Sequence, residues 1–264
     1  MDIKTTAAML TESAESRGGK YIPWWEDDFE HCEYQNHIFT AEEIRQVEEC
    51  VRECGVDALS APAGKSGYTL FHLLVWYNFY EVAKKALEDG VDANLTDKKG
   101  KGVTPLLLSC CRGNLAMTRL LLDHGADASC RDVKGRNCYH YLAHPYAEGM
   151  EISEDFNYSL NQRKAIAELL AGEADINRSD QQGIPPIVYL VDGGSRQICC
   201  ALIDTFLEKG ASPYFVDEGG GTLLLRAIVR QRSTAALRLM EYKELVNQMA
   251  QRGMTPLSAA MDCR

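Results

Sequence analysis

The chain has 264 residues, 45% of them hydrophobic and 25% charged, with 38 acidic side chains against 28 basic ones and a formal charge of −10. That is the composition of a globular core, not of a collagen-like or low-complexity chain, and no apolar run of about 18 residues is present to cross a membrane. The acidity opposes a sequence-independent grip on nucleic acid or an anionic membrane surface, and Met1-Asp2-Ile3-Lys4 lacks the basic and apolar blocks of a secretory signal.

The charge is uneven along the chain. Residues 1–60 hold 14 acidic and 5 basic groups, whereas residues 61–264 hold 24 and 23. Residues 1–37 form an acidic, aromatic segment. Its first part, Met1–Lys20, is polar and is expected to be mobile. Its second part sets Trp24 and Trp25 beside Glu26, Asp27, Asp28 and Glu30. Tryptophans seldom stay in solvent, so this part is expected to fold back onto the body of the chain, where it could compete with a partner. Next, Thr40-Ala41-Glu42-Glu43 has the spacing of a capping box, and Ile44, Val47 and Val51 place an apolar stripe on a helix ending at Gly55. Residues 40–59 are expected to cap the near-neutral body.

From there two markers recur in phase. Gly102-Val103-Thr104-Pro105-Leu106 returns as Gly253-Met254-Thr255-Pro256-Leu257, with degenerate copies placing the Thr position at 69, 104, 137, 185, 222 and 255. The intervals are 35, 33, 48, 37 and 33 residues. A second marker, seen as Gly90-Val91-Asp92-Ala93-Asn94 and Gly125-Ala126-Asp127-Ala128-Ser129, comes 21 residues after its Thr. Thr104 and Pro105 suit an N-cap and first helical position, Gly113-Asn114 a stop, and Leu120-Leu121-Leu122 a second helix closed by Gly125. Asp132, Asp180 and Asp217 each precede a glycine by three residues, as in tight turns. Neither helix of a unit could bury its apolar face alone; stacking supplies the core.

These residues, over about 40–264, resemble the ankyrin-repeat family. The resemblance implies an all-α solenoid of about five full units plus half-unit caps, each unit a β-turn and two antiparallel helices. The units are expected near 66–98, 99–132, 133–180, 181–217 and 218–249, with a partial unit at 250–264. The third is long: Asn137 precedes Glu173 by 36 residues instead of 21, with the surplus around 145–161 between its helices. The fourth carries about four extra residues near Gly193-Gly194.

Little in the sequence supports chemistry. His140 and His144 lie four apart, but His140, like His72, occupies the histidine position of the family's T-P-L-H turn, where the resemblance implies structural hydrogen bonding. Cys138 and Glu148 could add ligands, yet no C-x-x-C or H-E-x-x-H is present, and no metal or cofactor is expected. The ten cysteines, including the adjacent pairs Cys110-Cys111 and Cys199-Cys200, suit reduced thiols in a cytoplasmic protein. Gly219-Gly220-Gly221 lacks the lysine of a phosphate loop and falls at an inter-unit turn. No nucleophile or carboxylate pair is evident, so the protein is not expected to be an enzyme.

Binding is the better expectation. In ankyrin-like proteins, contacts come from the turns and from the exposed ends of first helices along the concave side. Carried over, this selects Tyr68, Trp76, Tyr77, Arg112, Lys134, Arg136, Asp192 and Arg230, with Gln182 and Arg252 on the same side. Trp76 and Tyr77 could equally pack against the amino-terminal cap. The groove is expected to be mildly basic and to meet a protein surface of acidic or mixed charge. Arg226, Arg230, Arg232 and Arg238, with no acid between Thr222 and Met240, suit either a solvated face or an acidic partner. The expected function is a monomeric, non-catalytic protein-interaction module. The alternative is an inhibitor or immunity-type protein that occludes a toxin or enzyme with its acidic amino-terminal segment.

Overall fold

The structure, a computed structural model, describes residues 3–16, 41–63, 67–143, 154–192, 196–247 and 255–262. The regular elements among them are helices, with three isolated bridges joining turn residues. Two helices come first, α1 (Ile3–Ser16) and α2 (Ala41–Leu59). Five pairs come next: α3 (Leu70–Trp76) with α4 (Tyr80–Glu88), α5 (Pro105–Arg112) with α6 (Leu115–Asp123), and α7 (Cys138–Ala143) with α8 (Glu154–Leu169). The last two pairs are α9 (Pro186–Asp192) with α10 (Arg196–Glu208) and α11 (Leu223–Val229) with α12 (Ser233–Leu239). A single turn, α13 (Lys243–Val246), and a lone first helix, α14 (Pro256–Asp262), end the array.

The first helices pack one on the next, α3 through α5, α7, α9 and α11 to α14, while α6, α8, α10 and α12 form a second layer behind them. The core lies between the layers and between successive first helices. Phe71, Leu74, Leu106, Leu107, Tyr139, Leu142, Val188, Val191, Leu223 and Leu224 are all buried there. The described residues form the all-α solenoid implied by the repeat.

Local chemistry explains the helix ends. Thr69, Thr104 and Thr222 are extended, and each hydroxyl accepts a backbone N–H of the first turn: His72, Leu107 and Leu225 respectively. Gly113 stops α5 in the left-handed region (φ 67°), and Asn114 then caps α6 by accepting the Met117 N–H at 3.0 Å. Asn78 and Gln231 hold the same left-handed place in their units. The turn aspartates work as expected: Asp132, Asp180 and Asp217 accept the N–H of Gly135, Gly183 and Gly220 on their carbonyls. Their carboxylates also accept N–H groups of the turn, such as Arg136 on Asp132 (2.8 Å) and Gly221 on Asp217 (2.7 Å). The triple glycine is thus part of a turn.

Three expectations change. Ile3–Ser16, expected to be mobile, is a helix whose Thr6, Ala7 and Leu10 are buried against α2 and α3. Its polar composition hides a narrow apolar stripe, which suffices when a neighbouring helix covers it. The helix expected to end at Gly55 breaks there (φ 71°) but resumes to Leu59. The surplus of the third unit is not all loop: α8 starts at Glu154 and runs 16 residues, against 9 in α4 and α6. Residues 17–40, with Trp24, Trp25 and Thr40, lie outside the described residues, as do His144, Glu148, Gly193, Gly194 and Arg252.

Candidate functional site

The stacking of first helices sets their carboxyl-terminal ends in a row, with Trp76 and Tyr77 at the end of α3, Arg112 at the end of α5, Asp192 at the end of α9 and Arg230 capping α11. Trp76 and Tyr77 are half-buried, their rings packed on the core. The Arg112 guanidinium lies over the Trp76 ring, 4.9 Å from its centroid. An aromatic from one unit and a cation from the next therefore form one element of surface.

Asp192 gathers the charges of the fifth unit. Its carboxylate meets the Arg226 guanidinium at 2.5 Å and that of Arg230 at 3.6 Å. Arg226 also bridges to Asp217 at 2.7 Å. Burial acts to raise the Asp217 carboxyl, but the N–H of Gly221 and the Arg226 guanidinium hold it below its ordinary value. Arg238 pairs with Asp204 at 2.5 Å and with Glu241 at 2.7 Å. Arg232 is buried and donates to the Val191 carbonyl at 3.2 Å. The arginine run is thus neither a solvated face nor a free basic patch. The counter-charges Asp192 and Asp204 lie one period earlier in the chain, outside the run itself.

Two of the expected contact residues are internal. Tyr68 is 2% exposed, its ring turned in against His72 with centroids 5.3 Å apart. Arg136 is 5% exposed, bridged to Asp132 at 2.6 Å and stacked over Tyr141, whose hydroxyl donates to the same carboxylate at 2.9 Å. Both serve the turns and offer no surface to a partner. Lys134 and Gln182 are exposed at inter-unit turns. The Lys134 carbonyl accepts the Gln181 N–H at 2.8 Å, which fixes one turn against the next. The structure therefore brings together Trp76 with Arg112 and Asp192 with Arg230, and sets Lys134 apart on its turn.

His72 and His140 are structural in the way the resemblance implies. Nε2 of each faces a carbonyl of the next unit, Val103 and Ile184, both at 3.0 Å, and a carbonyl can only accept, so Nε2 carries the proton. Nδ1 then accepts, from the Thr69 hydroxyl at 2.7 Å in one case and the Asn137 N–H at 3.2 Å in the other. Burial pushes the pKa of both down to about 4, so they are neutral at pH 7. Nothing in the spacing pointed to Arg163, which is 2% exposed and reaches from α8 to donate to the carbonyls of Cys111 (2.8 Å) and Leu142 (3.0 Å), satisfying the ends of α5 and α7.

Among the described residues no helix is long and apolar enough to cross a membrane. Residues 49–151 match the family model for ankyrin repeats, in three copies. The chain is 29% identical over 163 residues to the phosphocholine transferase AnkX of Legionella pneumophila, a match covering 61% of this chain and 15% of that protein. It is 29% identical over 187 residues to the putative ankyrin repeat protein YahD of Escherichia coli, covering 69% of this chain and 82% of that one. With Rabankyrin-5 of Mus musculus it shares 27% over 223 residues, 78% of this chain and 18% of that protein. The matched repeats, the Thr-capped first helices and their two-layer stack agree: residues 49–151 carry ankyrin repeats, which generally mediate protein–protein interaction.

Proposed function

We propose that the protein is a non-catalytic module that binds another protein through the row of first-helix ends, with Trp76, Tyr77 and Arg112 at one end and Asp192 and Arg230 at the other. Lys134 adds a contact from the adjoining turn. The observation that carries this reading is the Trp76–Arg112 pair, 4.9 Å apart across two units. A half-buried aromatic already held in one orientation loses little entropy when a partner covers it, and tryptophan and arginine are the residue types enriched at binding hot spots. The mixed charge at Asp192 and Arg230 suits a partner surface of mixed charge and gives register rather than bulk affinity. The transferase activity in the name of AnkX is not carried over, because the match spans 15% of that protein.

The test is capture of binding proteins from a cell lysate on the immobilised chain, followed by affinity measurement with the captured partner. Trp76→Ala is expected to weaken binding at least tenfold, as a central hot spot does. Lys84→Ala, at an exposed position of α4, serves as the control and is expected to change nothing. A partner retained equally by the wild type and Trp76→Ala, with helical content unchanged, would remove the proposed surface.

A further inference from the structure

Two kinds of link join neighbouring units. Where the first unit meets the second and the third meets the fourth, neutral groups make the link. Nε2 of His72 donates to the Val103 carbonyl and that of His140 to the Ile184 carbonyl, both at 3.0 Å. Asn94 and Asn177 add a second link at the same two joints. Each carboxamide donates to a glycine carbonyl of the following unit, Gly125 at 2.9 Å and Gly210 at 2.8 Å. Each also accepts an N–H there, from Asp127 and Ser212, both at 2.7 Å.

The fourth unit has neither residue. Val188 stands at the histidine position, and Tyr214 stands at the asparagine position, as far after Gly210 as Asn94 is after Gly90. Charge takes over the joint with the fifth unit. Arg226 and Arg238 lie on α11 and α12, and Arg230 caps α11. The acids that they meet across the joint belong to the fourth unit: Asp192 at the end of α9, Asp204 on α10 and Asp217 in the turn that follows. Tyr214 donates to the Glu244 carboxylate of α13 at 2.6 Å. Arg232 adds a buried link to the Val191 carbonyl. The packing of α9 on α11 is also the sparsest between successive described first helices. The Arg226 and Asp192 side chains are both 27% exposed, and those of Arg238 and Asp204 are 36% and 44% exposed, so dissolved ions reach them.

We propose that the joint between the fourth and fifth units is an ionic latch, closed at low ionic strength and released as salt screens it. The screening length falls from about 10 Å at 0.1 M salt to about 3 Å at 1 M, which weakens attraction between partly exposed charges. The carbonyl and carboxamide bonds of the first and third units carry no net charge to screen. Arg226 sits between Asp192 and Asp217, so the latch is a network and outweighs an isolated surface pair. Because units of a solenoid meet only their neighbours, an end unit opens without unfolding the rest. Release parts α11 and α12 from α9 and α10, and carries with them α14, which packs on α11. Asp192 and Arg230 also belong to the proposed contact row, so release divides that end of it. The latch itself rests on the ion pairs and not on that function.

Hydrogen exchange of the full chain, followed peptide by peptide by mass spectrometry in about 0.05 M and about 1 M sodium chloride, tests the latch. Exchange across residues 223–239 is expected to quicken about fivefold at high salt, the combined effect of a few weak pairs. Residues 70–76 and 105–112, whose joint is neutral, are expected to change less than about twofold. Asp204→Asn removes one pair at an exposed position and leaves the core intact. It is expected to quicken exchange of residues 223–239 at low salt and to shrink their salt response. Fifth-unit exchange independent of salt in the wild type would overturn the proposal. So would equal acceleration of the first two units, which marks a general loosening, or a salt response left whole in Asp204→Asn.

Discussion

His72 and His140 stand at the same position of two units and make the same pair of hydrogen bonds, one back to the cap of their own helix and one forward to the next turn. Because burial holds both near a pKa of about 4, the folded chain refuses protons that the unfolded chain accepts at about 6.5. Their stabilising contribution is therefore complete above about pH 6.5 and is lost as the pH falls towards 4. Between pH 7 and pH 5 the loss is about 2 kcal/mol for each histidine. Urea unfolding at the two values should show it, and His72→Gln should remove about half of the difference. An identical pH response in the variant would mean that the imidazole titrates normally. Gly113 supplies a second prediction at this scale. Its φ of 67° disfavours any side chain, and a Cβ there would also meet Cγ of the buried Arg163 at 2.9 Å. Gly125, with φ of 83°, has open space around its Cβ position. Gly125→Ala should cost about 1–2 kcal/mol for the left-handed backbone alone. Gly113→Ala should cost clearly more by urea unfolding, because Arg163 must leave the carbonyls that it caps. Equal losses would show that Arg163 shifts without penalty.

At the scale of elements, the features legible in the sequence obey rules local to one unit. Thr104 and Pro105 begin a helix, Gly113 ends it, and Asp132, Asp180 and Asp217 make turns, because each act needs only a few neighbouring residues. The hidden features depend on a partner about one period away. Arg226 and Arg238 find Asp192 and Asp204, each 34 residues earlier, and Asn94 bridges to Gly125 and Asp127, 31 and 33 residues later. The candidate surface was only partly legible because spacing does not tell which way a turn side chain points. Trp76, Arg112, Asp192 and Arg230 could be placed by their position at helix ends, but Tyr68 and Arg136 turn inward because His72 and Asp132 hold them there. Helix α1 was missed because its stripe is as small as Thr6, Ala7 and Leu10. That smallness makes a test. If α1 truly covers α2 and α3, Leu10→Ala should cost about 2–4 kcal/mol in urea unfolding, as buried leucines do. A loss under about 0.5 kcal/mol, the range of surface substitutions, would mean that α1 is not docked in solution.

On the whole molecule, each unit meets only its neighbours, so the stability of a position depends on whether another unit lies beyond it. The residue two places after the capping position shows this directly. Phe71, Leu106, Tyr139, Ile187 and Leu224 hold that place in five successive units, and all are buried. Leu257 holds it in α14 and is 72% exposed. Four residues further on, Val75, Cys110, Ala143 and Val191 are buried, Ile228 is half-buried, and Met261 is 64% exposed. The same register that makes a core in the middle of the array thus leaves an open apolar face on its last described helix. Chemically similar substitutions should then have opposite consequences. Leu224→Ala, with helices on both sides, should cost about 2–5 kcal/mol, whereas Leu257→Ala should fall within about 0.5 kcal/mol. Urea unfolding of the two variants at a dilute and a concentrated chain separates the cases. A large, concentration-dependent loss in Leu257→Ala would mean that a second copy covers this face in solution. A large loss independent of concentration would mean that the chain itself folds over it.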